Sequence, residues 1–376
     1  MNWQGCKNIL CIRPDNMGDL IMSGPAIRAL KESFGAKITV LTSSMAKGII
    51  NHMPEIDEAI IFDLPWVKTA NAANRESFNQ IVDILKERHF DAAVIFTVYS
   101  QNPMPTAMLA YLAGIPNILA YCRENPYQLI NNWVPDKEPY DIIKHQVQRD
   151  LDLVAAVGAG TKNDSLKIEV DEELWPTVAG KLHNIGVDVN KPWLLLHAGV
   201  SEVKREYPLE KWADVGQKLM AQGYQVILTG SAAELQLTDE LERRIGTGSF
   251  SAGGLFTLHE FVCLVKHASI LLSVNTGTIH IAAAVGTPVV VLYAQTNPQH
   301  TPWGVPNKVL EFAVPKHLQS KNEVISYVNK INYNRPTVIP TTDDVINAVN
   351  GLLNLPGLPV QPFHEILNEN REIVAS

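Results

Sequence analysis

A carboxylate, a basic pair and a small-residue helix start are the features of this 376-residue chain with chemistry to offer. The carboxylate is Asp19. It follows Ile9-Leu10-Cys11-Ile12-Arg13-Pro14-Asp15-Asn16-Met17-Gly18, which reads as a buried strand passing through a glycine-containing loop into a helix. In doubly wound sheets ligands bind outside the carboxyl ends of the strands, so Asp19 stands where a cleft is expected. A plain helix cap fits the same residue. The basic pair lies in His197-Ala198-Gly199-Val200-Ser201-Glu202-Val203-Lys204-Arg205-Glu206-Tyr207-Pro208. Small residues at this turn let a ligand approach the backbone, and Ser201, Lys204 and Arg205 can meet an anion. A basic pair in a loop is also ordinary solvated surface. The helix start is Asn275-Thr276-Gly277-Thr278-Ile279-His280, directly after a buried strand. Its free N–H groups and the helix dipole suit a diphosphate. Thr276 and Thr278 add hydroxyls, and His280 lies in the same turn, either as a packed residue or beside the anion.

Two further residues extend this pattern. Glu234 opens a helix, where a carboxylate favours the dipole; in a nucleotide site it also accepts from ribose hydroxyls. Phe256, like Leu258, is either a core residue or a wall for a base. Neither GxGxxG nor GxxxxGK[ST] occurs, so the dinucleotide fingerprint and the P-loop are both missing.

The elements that must hold these residues alternate between strand and helix. Strands are predicted at 8–12, 37–42, 59–62 and 91–97, with helices at 23–34 and 74–89. The first helix is read as capped by Ser23 and ended by Gly35. Phe78, Ile81, Val82 and Leu85 form one stripe of the second. The stretch from about 120 to 190 is less regular, with helices at 144–157 and 171–185, and is taken as the junction. The alternation then restarts, with strands at 193–197, 225–229, 269–274 and 288–293. Helices fall at 209–222, 232–245, 257–266, 277–285 and 341–353. Thr257 with Glu260 forms a capping box. This order predicts an α/β protein with parallel sheets and helices on both faces. The expected division is 1–165, 166–340, and a C-terminal helix and tail at 341–376, the tail carrying Pro356, Pro359 and Pro362.

Composition narrows the function. Hydrophobic residues make up 46% and charged residues 19%, a globular balance that excludes an extended disordered chain. The net charge of −8 argues against a broad grip on nucleic acid. The four cysteines include no CxxC pair and suggest no disulfide scaffold. No apolar stretch reaches the length of a membrane span, and the first residues do not read as a signal peptide. The expected compartment is a reducing cytoplasm.

The order of the motifs resembles glycosyltransferase family 9, the bacterial heptosyltransferases of lipopolysaccharide core assembly. The residues that carry the resemblance are Met17-Gly18-Asp19 with Gly24-Pro25-Ala26-Ile27-Arg28-Ala29-Leu30, then Arg205-Glu206-Tyr207-Pro208-Leu209-Glu210-Lys211-Trp212, then Val226-Ile227-Leu228-Thr229-Gly230. The most specific is Asn275 through Val290, followed by Thr296-Asn297-Pro298. The match spans roughly residues 8 to 355. It implies a GT-B fold, two Rossmann-like domains facing a central cleft, with the acceptor on the N-terminal domain and a nucleotide sugar, typically ADP-heptose, on the C-terminal one. It further implies inverting transfer with no bound metal or other cofactor. On this resemblance Asp19 is the base, and the donor phosphates meet Ser201, Lys204 or Arg205 and the 276–278 helix start. Glu234 faces the ribose and Phe256 the adenine, and Asn275, Gly277 and His280 complete the donor site. The helix at 341–353 is expected to pack across the domain junction.

Two positions depart from the family's pattern. Arg205 stands where lysine is usual, replacing a point charge by a planar fork. Asn275 stands where aspartate is usual, keeping hydrogen bonds but dropping a negative charge. The expected partners are a nucleotide-sugar donor and a saccharide or lipid-linked saccharide acceptor, with peripheral contact at the cytoplasmic face of the inner membrane and no nucleic acid. The alternatives are a GT-B-like sugar-nucleotide epimerase and a non-catalytic nucleotide-sugar-binding protein.

Overall fold

The structure is a computed structural model that describes residues 3–68, 74–295, 297–333 and 338–355. The expected tail at 356–376 and Thr296 of the last motif lie outside the described residues. The chain divides into two compact units. The first is Met1–Glu169 with Asn297–Trp303 and Ser320–Ile331; the second is Val170–Thr296 with Gly304–Gln319 and Asn332–Ser376. Two late segments thus belong to the first unit, where a single cut in sequence would put them in the second. Among the described residues no helix is long and apolar enough to cross a membrane.

The first unit carries β1 (Asn8–Ile12), α1 (Met17–Phe34), β2 (Lys37–Thr42), β3 (Glu58–Ile61), α2 (Arg75–Glu87), β4 (Ala92–Ile95), α3 (Met104–Leu112), β5 (Asn117–Cys122), β6 (Asn132–Pro135) and α4 (Gln146–Ala155). Its sheet is parallel throughout, in the order β3-β2-β1-β4-β5-β6. Strands β1, β4 and β5 are near-continuous apolar runs because both sheet faces are covered. Leu10, Ile12, Leu41 and Ile95 meet Ile81 and Leu85 of α2 and Leu109 of α3 in one core. Burying each such side chain contributes about 1.5–3 kcal/mol.

The second unit carries α5 (Trp175–Asn184), β7 (Trp193–His197), α6 (Leu209–Ala221), β8 (Gln225–Gly230), α7 (Leu235–Ile245), β9 (Ser249–Gly253), α8 (Leu258–His267), β10 (Leu271–Val274), α9 (Gly277–Val285), β11 (Val289–Ala294) and β12 (Asn307–Phe312). α10 (Glu323–Asn332) falls in the segment that returns to the first unit, and α11 (Thr342–Leu353) closes the second. This sheet is also parallel, in the order β12-β11-β10-β7-β8-β9. α11, expected at the junction, buries Val345, Val349 and Leu352 beside Trp212 in the second unit's core. Tyr207 donates to the Pro340 carbonyl at 2.8 Å just before it.

Read from one edge, both sheets have the order 3-2-1-4-5-6, so each has a switch point between its first and fourth strands. Where the structure departs from the sequence reading, the reasons are local. α1 starts at Met17, not Ser23, because Asn16 and Asp19 form a capping box about two turns earlier. Pro25 inside the helix hid that start, since an interior proline usually ends one. Ser23 does not cap; its hydroxyl donates to Asp150 Oδ2 at 2.7 Å. Strands β5, β6, β9 and β12 and helices α3 and α10 went unread. β6 and β12 are partly exposed edge strands, and β9 is the short run Ser-Phe-Ser-Ala-Gly with one large apolar residue, so none shows a strong apolar period.

Candidate active site

At the first unit's switch point, β1 ends in a loop whose backbone is tied to β2. Thr42 Oγ1 donates to the Arg13 carbonyl at 2.7 Å and Ser43 Oγ to the Asp15 carbonyl at 2.6 Å. Arg13 is fully buried and lies between two carboxylates: Nε is 3.1 Å from Asp15 Oδ2, and Nη2 is 3.2 Å from Asp19 Oδ1. Gln101, in the loop after β4, donates to the other Asp15 oxygen at 2.5 Å. Both strands that flank the switch point therefore contribute.

Asp19 takes part in the helix cap and also faces a buried cation. Its Oδ2 accepts from the Asn16 backbone N–H at 3.3 Å, as the third residue of the capping box. Its Oδ1 faces Arg13, and His300 Nε2 stands 3.8 Å away. The side chain keeps 13% of its surface exposed, so the carboxylate reaches solvent while Arg13 does not. The adjacent charges are deeper. Burial pushes the Asp15 carboxyl up to about 6, against the pull of Arg13 and with the Asp19 charge adding to the rise. Burial likewise pushes Asp150 up to about 6, opposed by Arg13, Ser23 and Arg149. Sequence reasoning passed over Arg13, Asp15, Asp150 and His300. The signal for the first two was present: charged residues directly after a wholly apolar strand have no reason to be there unless they pair.

The second unit places its residues in the loops after four strands. Ser201, Lys204 and Arg205 follow β7, Glu234 follows β8, Phe256 follows β9, and Asn275–His280 follow β10. Arg205 Nη1 donates to the Asn275 carbonyl at 3.2 Å, which joins the basic loop to the start of α9. Thr276 is the N-cap residue of α9, yet its side chain makes no cap hydrogen bond, and among the described residues Thr276 Oγ1 is buried with no hydrogen-bond partner. This helix start is not closed by its own side chains. Thr278 and His280 are buried in its first turn. The Asn275 side chain has a structural role, because its Oδ1 accepts from the Ala294 N–H at 3.1 Å and pins the end of β10 to the end of β11.

The basic pair is not simply solvated. Lys204 Nζ lies 2.8 Å from Glu202 Oε2, and Arg205 Nη2 lies 3.5 Å from Glu202 Oε1. Ser201 is exposed in the same loop. Glu234 Oε2 accepts from the Ser231 N–H at 2.7 Å and from its hydroxyl at 2.8 Å, which is the capping role. The same carboxylate presses on the β7 loop: a Cβ on Gly199 would sit 1.9 Å from Glu234 Oε1. His197 lies alongside, its Nδ1 3.1 Å from Thr229 Oγ1. Burial lowers the His197 pKa while the Glu234 charge opposes it. Phe256 is half-buried, with Lys181 Nζ 5.8 Å from its ring centre. Sequence reasoning missed Glu202 and His197; a glutamate two or three residues from a basic pair was the available sign.

Two parallel doubly wound units, each with polar residues at its switch point, define an α/β protein of the GT-B type. Residues 80–328, well over half of the chain, match the family model for glycosyltransferase family 9 (heptosyltransferase). The chain belongs to that family and is a glycosyltransferase enzyme. It is 24% identical over 360 residues to lipopolysaccharide heptosyltransferase 2 of Escherichia coli K12, covering 92% of this chain and 98% of that one. A family 9 glycosyl transferase from Veillonella parvula has a similar fold, with a TM-score of 0.73 at 18% identity over 92% of this chain and 97% of that chain. The E. coli ADP-heptose lipopolysaccharide heptosyltransferase II has a TM-score of 0.67 at 22% identity, covering 92% and 98%.

Proposed function

We propose that this enzyme transfers a heptose, with inversion, from ADP-heptose to a saccharide or lipid-linked saccharide acceptor in lipopolysaccharide core or related cell-surface glycan synthesis. Family membership favours transfer over the epimerase and binding-protein alternatives. The reading assigns the acceptor to the first unit and the donor to the second, and puts the work in the cytoplasm at the inner membrane face.

In this reaction the acceptor hydroxyl oxygen attacks the anomeric carbon, its proton passes to Asp19, and the bond from carbon to the diphosphate oxygen breaks. Asp19 suits the base role because its carboxylate is fixed by the Asn16 N–H and by Arg13 while the side chain keeps some exposure to solvent. The leaving diphosphate gains negative charge, which oriented N–H groups and cations must stabilise. Thr276, Gly277 and Thr278 supply the helix start, with Asn275 and His280 shaping it, and Ser201, Lys204 and Arg205 supply the loop. Glu234 would accept from the ribose hydroxyls and Phe256 would flank the base.

The observation that carries this reading is the Arg205 Nη1 contact to the Asn275 carbonyl, which brings a cation to an open helix start. The test is a binding and product experiment. ADP and ADP-heptose are expected to raise the melting point, as ligands of the folded form do. Incubation with ADP-heptose and an inner-core acceptor is expected to yield a heptosylated product of inverted anomeric configuration. No stabilisation by any nucleoside diphosphate would sink the donor assignment.

A further inference from the structure

Three metal-ligating side chains of the second unit converge away from the loops described above. Cys263 and His267 are four residues apart on α8, so they share one face of the helix. Glu172 stands in the single 3-10 turn Glu172–Leu174, immediately before α5. A thiol sulfur, an imidazole nitrogen and a carboxylate oxygen from these residues all lie within 4.8 Å of one another. The first two are held in place. The His267 ring is stacked on Trp175 at 3.8 Å between centroids and 10° between planes, and His267 Nε2 is 2.8 Å from Glu172 Oε2. Cys263 is fully buried, while the Glu172 side chain is 58% exposed. Further along the same helix pair, Lys181 of α5 and Glu260 of α8 form an ion pair at 2.8 Å.

From this cluster we infer that Glu172, Cys263 and His267 form a binding site for a zinc-class divalent cation. Thiolate, imidazole and carboxylate together select a borderline-soft ion, whereas magnesium and calcium require oxygen ligands. Tetrahedral bonds of about 2.0–2.3 Å place donor atoms about 3.3–3.8 Å apart. Rotation of the exposed Glu172 side chain adjusts the distance of its oxygen from the other two donors, with the fourth position left to water or to the neighbouring Asp171. Without a cation, burial and the charges of Glu172 and Asp171 hold the Cys263 thiol protonated, pushed up to about 11. A bound dication reverses that balance and releases the proton.

The cation's role is structural. α8 begins after the carboxyl end of β9 and leads back to the start of β10, so Cys263 and His267 lie towards the amino ends of the strands. Ser269, two residues on, donates to the carbonyl of Trp193, the first residue of β7, at 2.8 Å. A cation there braces α5 against α8 and touches none of the donor-site residues, so the site stands or falls independently of the transfer reaction.

The test uses the full-length protein, stripped with chelator and titrated with Co2+ as a spectroscopic probe and with Zn2+ in a calorimeter. One equivalent of Co2+ is expected to produce a thiolate-to-cobalt charge-transfer band, and Zn2+ to displace it and raise the melting point. Cys263→Ser is expected to abolish the band. Glu172→Gln, at an exposed position that leaves folding intact, is expected to weaken Zn2+ binding about tenfold or more. Absence of the band in the folded wild-type protein, or equal Zn2+ affinity in wild type and Glu172→Gln, would overturn the site.

Discussion

The two switch points share one backbone plan and offer opposite chemistry. In each unit the first and fourth strands pair side by side, and the connections that leave them run to opposite sides, which opens a crevice at their carboxyl ends. In the first unit the helix after the first strand is closed by its own capping box, and the polar content is side-chain charge: Arg13 buried between Asp15 and Asp19. In the second unit the helix after the fourth strand has no side-chain cap, and a basic loop arrives from the first strand through Arg205. The lesson is that strand order locates a site, while capping decides what it offers. A helix start whose third residue is Asp turns that carboxylate back on the N-cap N–H and presents it at the crevice. A start followed by Thr-Gly-Thr keeps its N–H groups for an anion.

The largest expected effect tests the carboxylate side of that contrast. Asp19→Ala is expected to lower turnover by about 10²–10⁴, the range for loss of a general base, with ADP affinity unchanged by calorimetry. A variant with near-normal turnover removes the assignment. Next comes the anion side. Lys204→Ala combined with Arg205→Ala is expected to weaken ADP binding tenfold or more, since a charge-assisted hydrogen bond is worth about 1.5–3 kcal/mol. The loss should exceed that in adenosine binding, and equal losses for the two ligands would place the pair away from the phosphates.

A smaller effect probes how tightly the second site is built. Gly199→Ala puts a Cβ 1.9 Å from a Glu234 oxygen and is expected to cost about 1–3 kcal/mol in urea denaturation. Gly160→Ala, in the first unit with nothing within 4 Å, is the control and should cost far less. Matching losses would mean that Glu234 moves aside freely.

The smallest effect concerns pH. Asp15 and Asp150 both rise to about 6 on folding, above the ordinary aspartate value of about 3.9. The folded protein therefore binds protons between about pH 4 and 6 that the unfolded chain releases. The stability these groups contribute is fully present below that window and is lost as pH rises through about 6. Denaturation midpoints measured across pH 4–7 should show a shallower decline in Asp15→Asn. An unchanged slope would mean that Asp15 does not carry the proton.

Much of this was legible in the amino-acid order because it depends on neighbours in sequence. The apolar run Asn8–Ile12 followed by glycine and aspartate, the Thr257–Glu260 capping box, and the small-residue turn from Asn275 into α9 are local patterns with local causes. They sufficed for parallel α/β architecture, for the family resemblance, and for the loops after β1, β7, β8 and β10. Elements with weak apolar periods, such as β6, β9 and α10, were not legible, because their stability comes from docking at a sheet edge or on a distant segment.

Tertiary structure alone decided the pairings. Arg13 reaching both Asp15 and Asp19, Gln101 arriving from 86 residues away, and Ser23 turning from helix cap to Asp150 partner all require the sheet to be assembled. So does the approach of Glu172 to Cys263 and His267. Caps and periodicity are set by residues a few positions apart, whereas buried charge is tolerable only when its partner is brought in by the fold. Charge partners are therefore set by the folded structure, even when the charges themselves stand in plain view along the chain.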